Sequence, residues 1–231
     1  FDAHDDPSLT GRNDDADDTK PEHQLIATAM AIRAVNPDIL CIEEVESEQA
    51  LLEYRDTYLA DMGYEHVVSI DAGNDRGIEN SVLSRFPITN AKNWPNKPLG
   101  GVHPEKYGNN KNWYAGEPIA FRRSPMMVDV AIPNADGNDS WTLTLFVMHH
   151  KSGFYNSYWR EAEAKGTLEL IQDVLKSDPD RAVVVLGDFN AEITDESVQT
   201  YLRAGFVDIF ANHDEDRQSI THESGRRIDL I

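Results

Sequence analysis

The sequence predicts a mixed-sheet α/β sandwich, and three observations point to it. Apolar runs of strand length outnumber helical stretches. The helical stretches fall at the start and in the middle of the chain instead of after every strand, which argues against a purely doubly wound parallel sheet. The chain has 231 residues, 40% hydrophobic and 27% charged, the composition of an ordinary folded chain with enough residues for one large α/β domain and a substantial core. We read residues 1–231 as one domain, with no internal repeat and no linker.

The elements follow in order. The first twenty or so residues carry Asp5, Asp6, Asp14, Asp15, Asp17 and Asp18 and almost nothing apolar except Leu9, so they read as a solvated acidic loop. The Asp14 to Asp18 run lacks the glycine turn and closing glutamate of a calcium loop. From Pro21, Leu25, Ile26, Ala29, Met30, Ile32 and Val35 recur at helical spacing until Asn36-Pro37 closes the run. Ile39 to Ile42 reads as a buried strand and Ser47 to Leu59 as a helix. His66 to Ile70, Ser81 to Ser84, Glu117 to Phe121, Met126 to Ile132 and Trp141 to Met148 read as strands. Between them, Asn90 to Gly116 is rich in Asn, Gly, Lys and Pro and reads as a long irregular excursion, a candidate rim for a substrate cleft. Tyr158 to Leu175 and Glu196 to Arg203 return to helical spacing, Arg181 to Leu186 is the clearest buried strand, and Ile228 to Ile231 begins another.

Charge and cysteine content narrow the function classes. With 41 acidic against 21 basic residues the net charge is −20, so the chain cannot coat nucleic acid by phosphate neutralisation alone, and an anionic partner needs a local site or cations. Cys41, the one cysteine, sits in an apolar run and reads as a small core residue without a disulfide partner. No stretch approaches the roughly 20 apolar residues of a membrane span and no secretory signal precedes Phe1. The acidic, nearly cysteine-free composition suits an extracellular or periplasmic protein, and a monomer is expected.

Three polar clusters each end an apolar strand. In Val183 to Ala191 a β-branched run passes through Gly187 into Asp188, Phe189 and Asn190; strand alternation would put Asp188 and Asn190 on one side, with an Asp/Asn turn at the strand end as the bland alternative. In Phe146 to Gly153, alternation groups His149 with Lys151 and leaves His150 on the other face. That pattern fits a phosphate-facing His/Lys pair or a solvated strand end better than zinc, because adjacent residues point apart. In Asn36 to Val45, Glu43 and Glu44 close a run that should be buried, so one of them serves a hard cation or both are exposed. Trp94, Trp113 and Tyr114 offer stacking surfaces or loop packing, and Arg160 reads as a helix anchor. His4, His23, His66, His103, His213 and His222 read as surface residues.

Asn36 to Val45, Asn80 to Ile88, Met148 to Ser152, Gly187 to Asn190 and Arg226 to Ile231 resemble, in this order, the motifs of the endonuclease/exonuclease/phosphatase superfamily, which includes pancreatic deoxyribonuclease. The resemblance implies a four-layer α/β/β/α sandwich of two mixed, mainly antiparallel sheets that cleaves phosphate esters with Mg²⁺, or with Mn²⁺ or Ca²⁺. It implies Glu44 as metal ligand and Asp188 as the group that orients or deprotonates the attacking water. It further implies Asn190 at the phosphate or metal, His149 as donor to a phosphoryl oxygen, and Asp229 as the acid that orients a catalytic histidine. Lys151, Arg123 and Asn80 are the expected substrate contacts. Glu43 stands where the family commonly has Gln, Met148 where Asn is common, and His150 where an apolar residue is common. The family's first strand, with an Asn and an acidic metal-site residue, is expected before Phe1, and its Ser-Asp-His strand after Ile231, so the sequence reads as part of a longer chain or as an inactive member. The expected function is a metal-dependent phosphodiester hydrolase, a nuclease acting on nucleic acid. The alternatives are a phospholipid or inositol-phosphate esterase of the same fold and a non-catalytic binding module.

Overall fold

The computed structural model describes residues 20–73, 77–137, 139–211 and 220–231. The acidic loop with His4 and its Asp14 to Asp18 run, and likewise His213, lie outside the described residues. The chain runs α1 (Glu22–Val35), β1 (Ile39–Val45), α2 (Glu48–Tyr58), β2 (His66–Asp71), β3 (Glu79–Ser84) and β4 (Ile88–Asn93). It continues through β5 (Pro98–Val102), β6 (Lys106–Tyr107), β7 (Asn110–Lys111), β8 (Pro118–Ala120), β9 (Met126–Pro133) and β10 (Ser140–His149). It closes with α3 (Ser157–Ser177), β11 (Ala182–Asp188), α4 (Glu196–Arg203) and β12 (Asp229–Leu230). Strands and helices intermix as expected for a mixed α/β protein. They form two compact units, one of residues up to Asn93 with Met126–Val147, the other of Trp94–Pro125 with Met148–Ile231.

In the first unit β3 is the centre of an antiparallel sheet, with β1 on one side (Leu40 opposite Leu83, Cys41 opposite Val82) and β2 on the other (Val67 opposite Leu83). Helix α1 ends where expected because the residue before Pro37 is barred from the α region. Asn36 turns left-handed there, at φ 51°, and its N–H returns to the Ile32 carbonyl. The core gathers Ala29, Ile32, Val45, Leu51, Tyr54, Leu59, Tyr64 and Leu83. Both buried tyrosines find acceptors, Tyr54 at the Leu25 carbonyl (3.1 Å) and Tyr64 at the Pro37 carbonyl (2.8 Å), as a buried hydroxyl requires. Strands β4, β9 and β10 form an antiparallel meander. Across it Asp129 accepts from Thr144 (2.6 Å) and Asn90 (3.0 Å).

Part of the expected irregular excursion is therefore regular. Strand β4 escapes the pattern because it pairs along β9 through a sequence, Ile-Thr-Asn-Ala-Lys-Asn, whose Thr89, Asn90 and Lys92 face solvent, the polar signature of an edge strand. In the second unit β5 pairs with β8, and the two-residue strands β6 and β7 form a hairpin.

Helix α3 is the spine of the second unit. Trp159 donates from Nε1 to the Ala120 carbonyl at 2.7 Å, and Gly166 lets the β5 region approach the helix. A Cβ on Gly166 would stand 2.4 Å from Leu99 Cδ2 and 3.2 Å from Phe121 Cζ, inside contact distance for any larger residue. Strand β11 takes β12 as antiparallel neighbour, with Gly187 opposite Leu230 and Asp188 opposite Asp229. Nearby, Arg227 pairs with the buried Asp208. Gly166→Val is expected to lower the unfolding free energy by roughly 2 kcal/mol through overpacking, read as a fall in the urea midpoint at unchanged slope.

Candidate active site

Strand β11 ends at Asp188, and its continuation is not extended. Asn190 adopts φ 48°, one of four non-glycine residues with positive φ among the described residues, a conformation that costs on the order of 1 kcal/mol and is tolerated best by Asn, Asp and Gly. The two side chains meet through this turn and not through strand alternation. Asp188 Oδ1 accepts the Asn190 N–H at 2.7 Å, and Asp188 Oδ2 accepts Asn190 Nδ2 at 2.9 Å. Asn190 Nδ2 also donates to the His150 carbonyl at 3.1 Å, and the His150 N–H returns to the Asp188 carbonyl at 2.9 Å. Amide and carboxylate are thus tied to the loop that follows β10.

That loop separates its histidines as alternation predicts. His149, 3% exposed, presents Nε2 to Arg123, whose Nη1 lies 2.6 Å away, and to Asp188 Oδ2 at 3.7 Å. The guanidinium has no acceptor capacity, so Arg123 donates, Nε2 accepts, and the neutral ring carries its proton on Nδ1. In this arrangement Nε2 has no proton to give to a phosphoryl oxygen; donation from it requires a second proton on the ring or a move of Arg123. The same Nη1 donates to the His150 carbonyl at 3.1 Å.

His150 faces the other way, into an aromatic wall, 5.3 Å from the Phe189 ring and 6.3 Å from Tyr201. Its Nε2 lies 3.4 Å from the Tyr201 hydroxyl, and among the described residues Nδ1 has no hydrogen-bond partner. Burial, aided by Arg160, pushes its pKa down to about 3. A neutral histidine, ring-stacked on Tyr201, thus occupies this position.

Glu163, wholly buried on α3, organises the cations. It accepts the Arg122 N–H at 3.2 Å and the Lys151 N–H at 2.7 Å, and burial raises its pKa to about 7 against the pull of those bonds and of Arg123 and Lys151. Arg160 donates from Nη1 to the Lys151 carbonyl (3.0 Å) and the Gly153 carbonyl (2.9 Å), which bears out its reading as an anchor. Burial first, then Arg123, lowers the pKa of the half-buried Lys151. Arg122, Arg123, Lys151 and Arg160 thus face two carboxylates, Glu163 and Asp188, with Asp195 and Arg226 adding one charge of each sign near Arg160. The result is a positive spot on a chain of net charge −20, suited to an anion.

Asp229 lies opposite Asp188 across the β11–β12 pair and is exposed; directly paired residues share a face, so two carboxylates stand side by side there. The other two expected residues belong to the first unit. Glu44 occupies a bulge in β1, where the register shifts between Ile42 and Val45, and it is exposed with φ 58°; such bulges re-aim side chains and recur beside active sites. Asn80 is 1% exposed and its Nδ2 lies 3.5 Å from the Val147 carbonyl. Among the described residues no three His, Cys, Asp or Glu side chains converge as a metal-binding group, so they do not by themselves complete a cation shell.

Sequence reasoning overlooked Glu163 and misplaced His103. The first had a signal, an acid between Ala162 and Ala164 on the face that carries Trp159 and Leu170. His103 was expected at the surface but is 4% exposed, packed edge-on to Trp159 at 4.3 Å and bonded to the Tyr158 hydroxyl at 2.8 Å.

An anion-directed cluster at the ends of strands in a mixed α/β fold is what a protein acting on phosphate esters needs. The chain belongs to the Endonuclease/Exonuclease/phosphatase family, whose pattern matches residues 11–231, a family of hydrolases acting on phosphoester bonds. Its fold is similar to that of the human Nocturnin catalytic domain solved with bound sulfate (17% identity, TM-score 0.61, covering 91% of this chain and 74% of that one). It is similar also to truncated TDP2 from Caenorhabditis elegans (17%, 0.59, 90% and 75%) and to a mannosyl-6-phosphatase from Bacteroides thetaiotaomicron (15%, 0.56, 90% and 75%). No curated protein matches the chain in sequence.

The buried histidine gives a pH test. Its folded pKa, about 3, lies below the ordinary histidine value of 6.5, so between these values the unfolded state binds more protons and stability falls on acidification, by at most about 1.4 kcal/mol per pH unit. Glu163, raised from 4.5 to about 7, acts oppositely, losing its contribution as pH rises from 4.5 through 7. His150→Phe removes the first effect alone. The difference in urea stability between His150→Phe and the parent protein is expected to move in favour of the variant from pH 6.5 downward; a pH-independent difference contradicts the assignment.

Proposed function

We propose that the chain is a phosphodiester hydrolase of the nuclease type that works with a divalent cation, Mg²⁺ or, in its place, Mn²⁺ or Ca²⁺. The single observation that carries the reading is the Arg123–His149–Asp188–Asn190 cluster, which joins an oriented carboxylate to cations in one place.

Cleaving a phosphodiester requires an activated water and compensation of the charge on phosphorus. Asp188 is the group to orient and deprotonate water, because both of its oxygens are held by Asn190 and its direction is fixed before substrate arrives. Asn190 therefore acts on the phosphate through Asp188, because both of its amide hydrogens are given to Asp188 and the His150 carbonyl. Arg123 and Lys151 supply positive charge for the phosphoryl oxygens, and His149 fixes the guanidinium of Arg123 and is the proton donor once its ring is protonated. Asp229, beside Asp188, is the partner for a catalytic imidazole. In the first unit Glu44 is the proposed cation ligand and Asn80 a proposed substrate contact. The cation, when bound, would supply charge neutralisation and a lowered water pKa; its use here is supported by the family.

A second reading, hydrolysis of a phospholipid or inositol phosphate, is favoured by the net charge of −20, which repels long polyanions. A panel of single-stranded DNA, duplex DNA, RNA, bis(p-nitrophenyl) phosphate, phospholipid and inositol phosphate decides between them. With the intact protein and Mg²⁺, Asp188→Ala and His149→Ala are each expected to lower kcat/KM by about 10²–10⁴-fold, and EDTA is expected to abolish turnover until the cation is restored. Unchanged turnover in Asp188→Ala overturns the proposal.

A further inference from the structure

Beside the cation cluster the second unit holds a cavity of about 210 Å³ that the chemistry above does not use. It is lined by Tyr107, Tyr114, Lys151, Phe154 and Tyr155, with Asn112 and Asn156. This is below the roughly 300–1,000 Å³ of a pocket for a drug-sized ligand, and suits a single ring system.

The walls are fixed. The turn between β6 and β7 lies flush on Tyr155, because a Cβ on Gly108 would be 2.7 Å from Tyr155 Cε1. Tyr107 meets the same ring with centroids 6.0 Å apart at 35°. The two asparagines and Lys151 at the cavity are engaged within the protein. Asn112 donates to the Tyr158 hydroxyl (3.0 Å) and accepts the Tyr114 N–H (3.1 Å), while Asn156 Nδ2 and Lys151 Nζ both donate to the Ser152 carbonyl, at 2.7 and 2.9 Å. The cavity therefore offers aromatic surface from four rings, Tyr107, Tyr114, Phe154 and Tyr155, which suits a stacked aromatic ring. Phe154, 88% exposed, stands at 5.2 Å from Tyr155, an apolar ring left in water beside the cavity. The floor connects to the cluster through Lys151, two residues beyond His149 and clamped by Arg160.

We propose that this cavity is a nucleobase subsite, which receives one unpaired base stacked on Phe154, with the Tyr155 ring, at 85° to Phe154, against its edge, while the attached phosphate lies at Lys151 and Arg123. The subsite rests on the phosphodiester reading above and makes its substrate single-stranded nucleic acid, since a paired base cannot enter a cavity built for one ring. Stacking on aromatic walls tolerates any base, so the preference is for an unpaired base and not for a sequence.

Calorimetric titration of the intact protein with adenosine monophosphate and with ribose 5-phosphate tests the subsite apart from turnover. The nucleotide is expected to bind about tenfold tighter, the advantage is expected to be lost in Phe154→Ala and Tyr155→Ala, and Phe154→Trp is expected to keep it. Truncating a side chain as exposed as Phe154 leaves the fold intact. Equal affinity for the two probes, binding of neither, or an unaltered advantage in Phe154→Ala overturns the subsite. In parallel, cleavage of a single-stranded oligonucleotide is compared with cleavage of the same strand carrying abasic tetrahydrofuran residues. A base-dependent binding advantage in a protein that cleaves no phosphodiester overturns the hydrolase reading and leaves the subsite standing. Cleavage of both strands at equal rates does the reverse.

Discussion

A guanidinium cannot shed its charge, so burying one obliges the protein to supply acceptors. Arg123 is 8% exposed, and the acceptors it finds, the His149 ring and the His150 carbonyl, are what bring the end of β10 into the candidate site. The same loop then receives Asn190 through the His150 carbonyl, and Asn190 in turn holds Asp188. One buried cation thus sets the tautomer of a histidine, the path of a loop and, at one remove, the direction of a carboxylate.

This constraint also reconciles a strongly acidic chain with an anionic ligand. The long-range field of a chain with net charge −20 disfavours polyanions, but within the second unit the balance reverses around Glu163. Burial pushes that carboxyl up to about 7, so it offsets the neighbouring arginines and Lys151 less than an exposed carboxylate does. The acid holds the backbone of Arg122 and Lys151 in place.

The backbone plan was largely legible in the sequence. The helix from Pro21, the strand from Ile39, the helix through Tyr158 to Leu175 and the β-branched strand before Asp188 announced themselves by period and by their Pro, Gly and Asn boundaries. Strands β4 to β7 did not, because short polar edge strands have no apolar face to show. Asp188 and Asn190 were recognised as partners, but a left-handed turn at Asn190 joins them, and no strand periodicity encodes such a turn. Arg123 was named as a substrate contact, but its part as a buried anchor was not legible, since its acceptors lie 26 and 27 positions away along the chain and only tertiary packing brings them together. The double negative charge at Glu43 and Glu44 marked a special position, and the bulge there shows why both can follow one another at the end of a buried strand: Glu44 turns out with positive φ while Val45 returns to the core.

The most direct measurement is the tautomer of His149, read from long-range ¹⁵N–¹H correlations of the imidazole in the substrate-free protein at neutral pH, with His149→Gln to assign the ring. Donation by Arg123 predicts a neutral ring protonated on Nδ1, with Nε2 bare and shifted by its hydrogen bond. A ring protonated on Nε2 contradicts the arrangement on which the cluster rests.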